Sequence, residues 1–247
     1  MYFCATITCS PYKKSHLCSV NTKKGNHIEY TNFKYFPLNL YLCRRLKPTV
    51  MLLDELKNYK IYLASKSPRR RELLSDMGIE YELISTDVDE SYDPSLYPAE
   101  VVQHLSRLKL SAIDMTQYPA NTIFIACDTV VVVDGKIIGK PKDNEEALQM
   151  LRQLSGQTHL VFSGLTVATP DRMLTDFRSS SVNFVKLSGE ELQYYVEHYR
   201  PLDKAGAYGI QEWIGYIGIQ SIHGSFYNVM GLPTCLLWEM LQNIIRK

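Results

Sequence analysis

Residues 122–138 have the sequence TIFIACDTVVVVDGKII. The first six residues form an apolar run that predicts a buried strand, which ends at Asp128. A second run, Val130–Val133, is followed by Asp134 and Gly135, and an Asp-Gly pair suits the two-residue type I′ turn of a β-hairpin. The segment therefore predicts a buried strand that leads into a hairpin.

The open end of this hairpin is expected to bring three polar residues together. Pairing counted outward from the turn sets Thr129 opposite Lys140, with Asp128 beside them. A partly buried carboxylate at this point could bind a divalent cation or accept a proton from water, and the lysine could neutralise a phosphate. A structural salt bridge between Asp128 and Lys140 explains the same residues equally well.

Helix and strand signals alternate on both sides of this segment. The pattern predicts strands over residues 60–64, 80–85, 158–169 and 175–186. It predicts helices over residues 69–77, 98–115, 143–154, 188–199 and 232–246, several with capping residues at their starts. Because strands and helices are mixed, the fold class is α/β or α+β with a mixed sheet.

A strand-to-helix junction, Ser65–Arg71, is the first candidate binding site. Ser67 is a suitable N-cap and Pro68 a suitable first helical residue, so free backbone N–H groups are expected here. Arginines at a helix N-terminus are electrostatically unfavourable, which favours a bound anion over a solvated basic turn. Arg69 and Arg70 have the fork geometry that matches phosphate oxygens.

Two further candidates are weaker when taken alone. The acidic stretch Asp87–Glu90 could supply oxygen ligands to Mg²⁺, although a solvated acidic loop is the more common outcome. Lys109 lies at the edge of the apolar stripe of its helix and could extend toward a cleft, although a surface lysine is the simpler interpretation.

A glycine-rich stretch, residues 203–211 (DKAGAYGIQ), is the last candidate. Its glycines allow close approach of the backbone to a ligand. Gln211 could hydrogen-bond the edge of a nucleobase through both a donor and an acceptor. An exposed loop is the alternative.

The charge and the cysteine content of the 247-residue chain both change at about residue 50. The net charge of +1 hides a basic head, residues 1–50, with eight Lys/Arg and one acid, and an acidic remainder. The remainder contains only two cysteines, Cys127 and Cys235, which is typical of a reducing compartment. With 45% hydrophobic and 21% charged residues, the chain is neither disordered nor of membrane type.

We therefore expect two parts, a basic N-terminal extension over residues 1–50 and a domain over residues 51–247. The extension is flexible, or it is translated from sequence upstream of the true start at Met51. Three other functions of the extension are considered. Zinc binding by Cys4, Cys9, Cys18 and His16 would have irregular ligand spacing, and a secretory signal lacks the expected order of segments. A nucleic-acid arm is the third alternative.

The motifs of residues 60–247 resemble those of the Maf family of nucleoside triphosphate pyrophosphatases. The similar stretches are LASKSPRR at 63–70, ELL at 72–74, DVDE at 87–90, ACDTV at 126–130, GKP at 139–141, DKAGAYGIQ at 203–211 and NVMGLP at 228–233. Their order and spacing cover nearly all of the chain after Met51.

This resemblance implies an elongated α/β fold, in which a mixed sheet flanked by helices forms two lobes around a nucleotide cleft. It implies hydrolysis between the α and β phosphates with Mg²⁺ or Mn²⁺. Glu90 and Asp128 match the family's acidic pair for metal and water, Asp128 being the better candidate for the base. The substrate-binding residues are then Ser65, Ser67, Arg69, Arg70, Lys109, Thr129, Lys140 and Gln211.

The form of residues 203–211 resembles the subgroup that acts on dTTP and UTP. The amide of Gln211 suits a pyrimidine with a 4-keto and a 3-NH group. Glu212 departs from the pattern, because relatives often have glycine there.

We expect a cytoplasmic hydrolase of dTTP and UTP, with modified pyrimidine triphosphates as further substrates. A nucleoside triphosphate is the expected partner, neither a membrane nor a nucleic acid is expected, and a homodimer is compatible with the sequence. The alternatives are the same chemistry on a purine or on 7-methyl-GTP, and a non-catalytic nucleotide-binding regulator of cell division.

Overall fold

The computed structural model describes residues 51–246 and, from the preceding segment, the backbone of two short strands. These strands, β1 (Thr22–Lys24) and β2 (His27–Glu29), pair antiparallel. Residues 50–247 form a unit separate from the one that contains β1 and β2. The zinc alternative for Cys4, Cys9, Cys18 and His16 concerns positions outside the described residues.

From residue 51 onward helices and strands alternate, and every predicted element is present, although the strand predicted over residues 80–85 has only two residues and the short elements at residues 52–56 and 213–230 were not predicted. In chain order they are α1 (Leu52–Leu56), β3 (Lys60–Leu63), α2 (Pro68–Asp76), β4 (Glu82–Leu83), α3 (Pro98–Ser111), β5 (Thr122–Val133), β6 (Lys136–Ile138), α4 (Asn144–Leu154), β7 (Thr158–Thr169), β8 (Arg172–Phe184), α5 (Gly189–Tyr199), α6 (Trp213–Gly218), β9 (Ile219–His223), α7 (Phe226–Met230) and α8 (Thr234–Ile245). Short 3₁₀ turns lie at residues 115–117 and 205–207.

Strands β3 to β9 form one mixed sheet. The order is β4-β3-β5-β7-β8-β9, with β6 beside β5. Strand β3 runs parallel to β4 and β5, and the other pairs are antiparallel. Parallel pairs joined through helices and antiparallel hairpins in one sheet confirm the mixed-sheet α/β class.

Strand β5 is longer than predicted. The hairpin is confirmed, since Val131 pairs with Ile138 and Asp134 and Gly135 have the positive φ values, 49° and 73°, of a type I′ turn. The predicted strand end at Asp128 is wrong, because β7 continues the hydrogen-bonded ladder past this residue. Strand β6 ends at Ile138, so the predicted pairing of Thr129 with Lys140 is also wrong.

The two faces of β5 have different neighbours. Ile125 and Cys127 belong to the main core, whereas Ala126 and Val130 face smaller apolar clusters against α3. Because side chains alternate along a strand, Asp128 lies on the α3 side. Helix α3 in turn buries Val101, Leu105 and Lys109, which are spaced four residues apart and share one face. The fold therefore sets Lys109 opposite Asp128.

Helix α3 lies unusually close to the sheet at Gly164 of β7. A Cβ at this position would lie 2.1 Å from the carbonyl oxygen of Val102. Only glycine permits such an approach. Among residues 51–246 no helix is long and apolar enough to cross a membrane.

Candidate active site

A cavity of about 390 Å³ opens beside β5 and the start of α2. This volume is typical of small-molecule sites. All ten residues singled out from the sequence line this cavity: Ser65, Ser67, Arg69, Arg70, Glu90, Lys109, Asp128, Thr129, Lys140 and Gln211. The structure thus brings together residues that are up to 146 positions apart.

The cavity lies at a gap in the pairing of β5. Along one edge, β5 pairs with β3 over residues 122–125 and with β6 over residues 131–133, while β7 pairs continuously along the other edge. Residues 126–130 are therefore flanked by a described strand on one side only. On the open side, Arg70 of α2 donates to the backbone carbonyl of Cys127.

The loop between β3 and α2 is organised by Ser65. Its hydroxyl accepts a hydrogen bond from the backbone N–H of Ser67 at 3.2 Å. Ser67 is the N-cap residue of α2 and Pro68 is its first residue, as predicted, although the Ser67 hydroxyl makes no capping hydrogen bond within the described part of the chain. The N-terminus of α2 points its positive end toward the cavity, and this favours an anion there.

Arg69 forms an ion pair at the cavity. Its Nη1 donates to Asp203 Oδ2 at 2.7 Å, and Asp203 Oδ1 accepts from Lys204 Nζ at 2.8 Å. Partial burial acts to raise the pKa of Asp203, but hydrogen bonds from Lys204 and Arg69 outweigh it and lower that pKa. Asp203 is therefore ionised, and its carboxylate holds Arg69 at the cavity wall.

Arg70 is held by the protein on every side of its guanidinium. Nε donates to the carbonyl of Gly231 at 2.8 Å, and Nη1 donates to the carbonyl of Cys127 at 2.6 Å and to the Ser65 hydroxyl at 3.3 Å. Nη2 donates to the Thr129 hydroxyl at 3.2 Å. These bonds tie α2 to the unpaired edge of β5 and leave one N–H of Nη2 for a ligand.

Lys109 lies between two carboxylates. Its Nζ is 2.5 Å from Asp128 Oδ1 and 3.4 Å from Glu90 Oε1. The side chains of Lys109 and Asp128 are only 10% and 12% exposed, so their attraction is weakly screened by water. Asp128 thus has Lys109 as its ion-pair partner, and Lys140 lies exposed at the same cavity instead of pairing with it.

The two carboxylates are compatible with a divalent cation. Magnesium is usually bound through one or two carboxylates together with substrate phosphates and waters. Glu90 and Asp128 provide such a pair, while no group of three or more His, Cys, Asp or Glu side chains suited to a metal occurs among the described residues. A cation here would depend on the substrate for most of its ligands.

Gln211 has a buried atom available for a ligand. Its Oε1 has no hydrogen-bond partner within residues 51–246, and the residue lines the cavity. Cys127 also lies nearby, but burial raises the pKa of its thiol, and its Sγ donates to the carbonyl of Gly231. The thiol is therefore neutral and is not suited to act as a nucleophile.

Sequence reasoning missed the groups that hold these side chains. The acceptors of Arg70 on Gly231 and Cys127 are backbone carbonyls, which every residue has. Asp203 and Lys204 belong to a stretch that the sequence singled out, but their pairing with Arg69 depends on the fold. Tyr195, which contacts the same loop, showed no signal in the sequence, and Glu212 was noted only as a departure from the family pattern.

Comparison with known proteins finds one family and many relatives. Residues 60–244 match a family model described as Maf-like protein. The chain is 48% identical over 194 residues to the dTTP/UTP pyrophosphatase of Bacteroides thetaiotaomicron, covering 78% of this chain and 100% of the relative. It is 51% identical to the dTTP/UTP pyrophosphatase of Porphyromonas gingivalis over 194 residues, which are 78% of this chain and 98% of that protein.

A solved structure, the Ham1 protein of Staphylococcus aureus, overlaps 51% of this chain and 71% of its own, with a TM-score of 0.36 and 18% identity.

Proposed function

The chain belongs to the Maf-like family, and from this premise we propose that it hydrolyses dTTP and UTP to the nucleoside monophosphate and pyrophosphate. The observation that carries the proposal is the meeting, in one cavity, of a basic helix N-terminus, a paired carboxylate and lysine, and a glutamine with an unpartnered oxygen. The names of the relatives from Bacteroides and Porphyromonas support the choice of substrate.

Gln211 supports a pyrimidine with an N3–H group. Its Oε1 is buried and unpartnered within the described residues, and leaving such an oxygen without a donor costs about 1–3 kcal/mol. Uracil and thymine offer a donor at N3 and an acceptor at O4, which a glutamine amide can pair with simultaneously. Cytosine reverses both positions, with an acceptor at N3 and an amino donor at C4, so it pairs only with the glutamine amide turned over.

Asp128 is proposed as the general base. Lys109 holds Asp128 Oδ1, which fixes the orientation of the carboxylate toward the cavity. Asp128 accepts a proton from a water molecule as the water oxygen attacks the α-phosphorus. The bond between the α-phosphorus and the bridging oxygen then breaks, and pyrophosphate leaves with the electron pair.

The cationic side chains around the cavity stabilise the leaving group. Arg69 and Lys140 line the cavity with the N-terminus of α2, and Ser65 and Ser67 add hydroxyl groups. Preorganised positive charge acts most strongly where negative charge develops in the transition state. A divalent cation held by Glu90, Asp128 and the phosphates would neutralise further charge on the triphosphate.

We also propose that residues 51–247 are the catalytic domain, that residues 1–50 are an extension, and that the protein is cytoplasmic. The family match begins at residue 60. Cys127 and Cys235 are free thiols, as expected in a reducing compartment.

A panel of triphosphates tests the function. Pyrophosphate release from dTTP, UTP, dCTP, GTP and 7-methyl-GTP is measured with Mg²⁺, for wild type and for Asp128→Asn. We expect turnover of dTTP and UTP, and a loss of kcat of about 10³-fold in Asp128→Asn, in the range of a missing general base. Asp171→Asn, at an exposed turn, is the matched control.

Activity only on a purine triphosphate would overturn the assignment of a pyrimidine nucleobase. Undiminished release by Asp128→Asn would exclude this residue as the base. If the wild type bound nucleotide without releasing pyrophosphate, a binding regulator would be the better interpretation.

The cation is tested separately. We expect a chelator to abolish turnover, and Glu90→Gln to raise the Mg²⁺ or Mn²⁺ concentration for half-maximal rate by about tenfold, in line with the loss of one anionic ligand. Full activity in excess chelator would show that no divalent cation is needed. An unchanged cation requirement in Glu90→Gln would show that Glu90 is not a ligand.

A further inference from the structure

The carboxylate of Glu212, directly after Gln211, is held from two sides. Oε2 accepts a hydrogen bond from the Tyr195 hydroxyl of α5, and Oε1 lies 3.1 Å from Lys204 Nζ. The Glu212 side chain is 21% exposed and that of Lys204 is 8% exposed. Burying a charged pair is costly unless its geometry is well satisfied, so these contacts constrain where both side chains can lie.

The same carboxylate fixes the backbone around Gln211. The backbone N–H of Gly209 donates to the Tyr195 hydroxyl at 3.0 Å, and the backbone N–H of Glu212 donates to the Gly209 carbonyl at 3.0 Å. The Glu212 side chain packs so closely on residue 209 that a Cβ there would lie 2.7 Å from Glu212 Cδ. Tyr195 and Glu212 therefore clamp the turn of residues 209–212.

Tyr195 is suited to this position because it stays neutral. Burial, and next the hydrogen bond to Glu212, raise its pKa far above the ordinary value. The hydroxyl can therefore donate to the carboxylate while it accepts from Gly209. Removing the hydroxyl would leave both groups without this partner.

Lys204 extends the network from Glu212 to the other end of the cavity. Its Nζ contacts both Glu212 and Asp203, and Asp203 in turn binds Arg69 at the start of α2. Charges alternate along the whole path: Glu212, Lys204, Asp203 and Arg69. The turn that carries the base-binding residue is thus joined to the arginine that faces the phosphates.

We propose that Glu212 is a positioning residue that couples recognition of the pyrimidine by Gln211 to the placement of Arg69. The inference rests on the proposed function, because that function assigns the base to Gln211 and the phosphates to Arg69. A nucleotide with an N3–H donor holds Gln211 in place, and the clamped turn then holds Glu212. Through Lys204 and Asp203, Glu212 keeps Arg69 at the cavity wall.

The main test is Glu212→Gln, which keeps the size of the side chain and can still accept from Tyr195. It removes the charge that attracts Lys204. We expect the ratio of kcat/KM for dTTP over dCTP to fall about tenfold, which corresponds to about 1.4 kcal/mol of coupling. Glu197→Gln, the same change at an exposed site on α5, is the matched control and should leave the ratio unchanged.

A second variant distinguishes coupling from local packing. Asp203→Asn breaks the path near the phosphates, away from the base, and we expect it to lower the same ratio. In the double variant the two losses should not add, because both break one path. A purely structural role would lower the melting temperature without changing the preference between dTTP and dCTP.

Binding measurements keep this inference separate from the proposed function. Dissociation constants for dTTP and dCTP are measured in an Asp128→Asn background, where turnover does not interfere. If the wild type releases no pyrophosphate, the proposed function fails, and the binding ratio still decides the role of Glu212.

A ratio within twofold of wild type in folded Glu212→Gln, or additive losses in the double variant, would overturn the inference. Should Glu212→Gln lower the melting temperature by more than about 10 °C, Tyr195→Phe replaces it, with an expected loss of about threefold in the ratio.

Discussion

Replacing Arg70 should destabilise the protein as well as reduce its activity. Although the residue resembles a phosphate-binding arginine, its guanidinium donates to two carbonyls and two hydroxyls of the protein. In Arg70→Met the hydroxyls can rotate toward other partners, and the carbonyl of Gly231 keeps the Cys127 thiol as a donor. The carbonyl of Cys127 loses a charged hydrogen bond of 2.6 Å.

The size of the effect follows from these contacts. Hydrogen bonds to a charged group contribute about 1.5–3 kcal/mol each, so losing the bonds to the two carbonyls costs about 4 kcal/mol. For a domain of this length, that lowers the melting temperature by about 10 °C. Arg70→Lys can satisfy one carbonyl but not both, and its melting temperature should fall by about half as much.

Differential scanning calorimetry and pyrophosphate release are measured on the same preparations. Arg71→Met is the matched control, because the Arg71 guanidinium makes no hydrogen bond or ion pair within the part of the chain that the structure describes. If Arg70→Met melted within 1 °C of wild type while kcat/KM collapsed, Arg70 would act on the substrate and not on the loop, and the reasoning would be wrong.

Three further outcomes follow from other parts of the molecule. Burial lowers the pKa of His159 to about 4, below its unfolded value, so the stability that depends on this histidine is present above pH 6.5 and is lost as the pH falls toward 4. In urea unfolding, the free energy of unfolding should fall by about 3 kcal/mol over this pH range. The fall should be smaller in His159→Gln, which can still hydrogen-bond Tyr208. The same dependence on pH in both proteins would exclude His159 as the cause. Gly164→Ala should cost about 3 kcal/mol or abolish folding because its Cβ would overlap helix backbone, whereas Gly139→Ala, with nothing within 4 Å, should melt like wild type. A variant that starts at Met51 should keep the kcat/KM of the full chain, and a large loss would show that the first fifty residues take part in catalysis.

Much of the fold was predictable because local signals and burial agree. The capping box of Ser188 and Glu191 marks the start of α5 correctly, and the long stretch of mainly apolar and β-branched residues after Thr158 gives the full extent of β7. The region of residues 213–230 was not predicted. Its helices α6 and α7 have six and five residues, too short to be stable alone, so packing and not propensity determines them.

The candidate site was likewise predictable in part. Its residue types are visible at a strand–helix junction and along an apolar strand, and the predicted side chains line one cavity. The sequence does not reveal partners that are distant along the chain. The contact of Lys109 with Asp128 requires α3 to pack on β5, and the hydrogen bonds that hold Arg70 use backbone carbonyls. The same packing explains why Asp128 pairs with Lys109 and not with Lys140, the partner in the salt-bridge alternative.

The gap along one edge of β5 has a consequence for how this enzyme can change. Asp128 sits within a strand whose other edge is continuously paired, so it cannot move without disrupting the sheet. Gln211 belongs to a loop of few residues that is held by side chains. Chemistry and selectivity are therefore carried by parts with very different tolerance to mutation. A new substrate preference needs changes in the loop and in Tyr195 of α5, which holds it, while the hydrolytic step is inherited with the sheet.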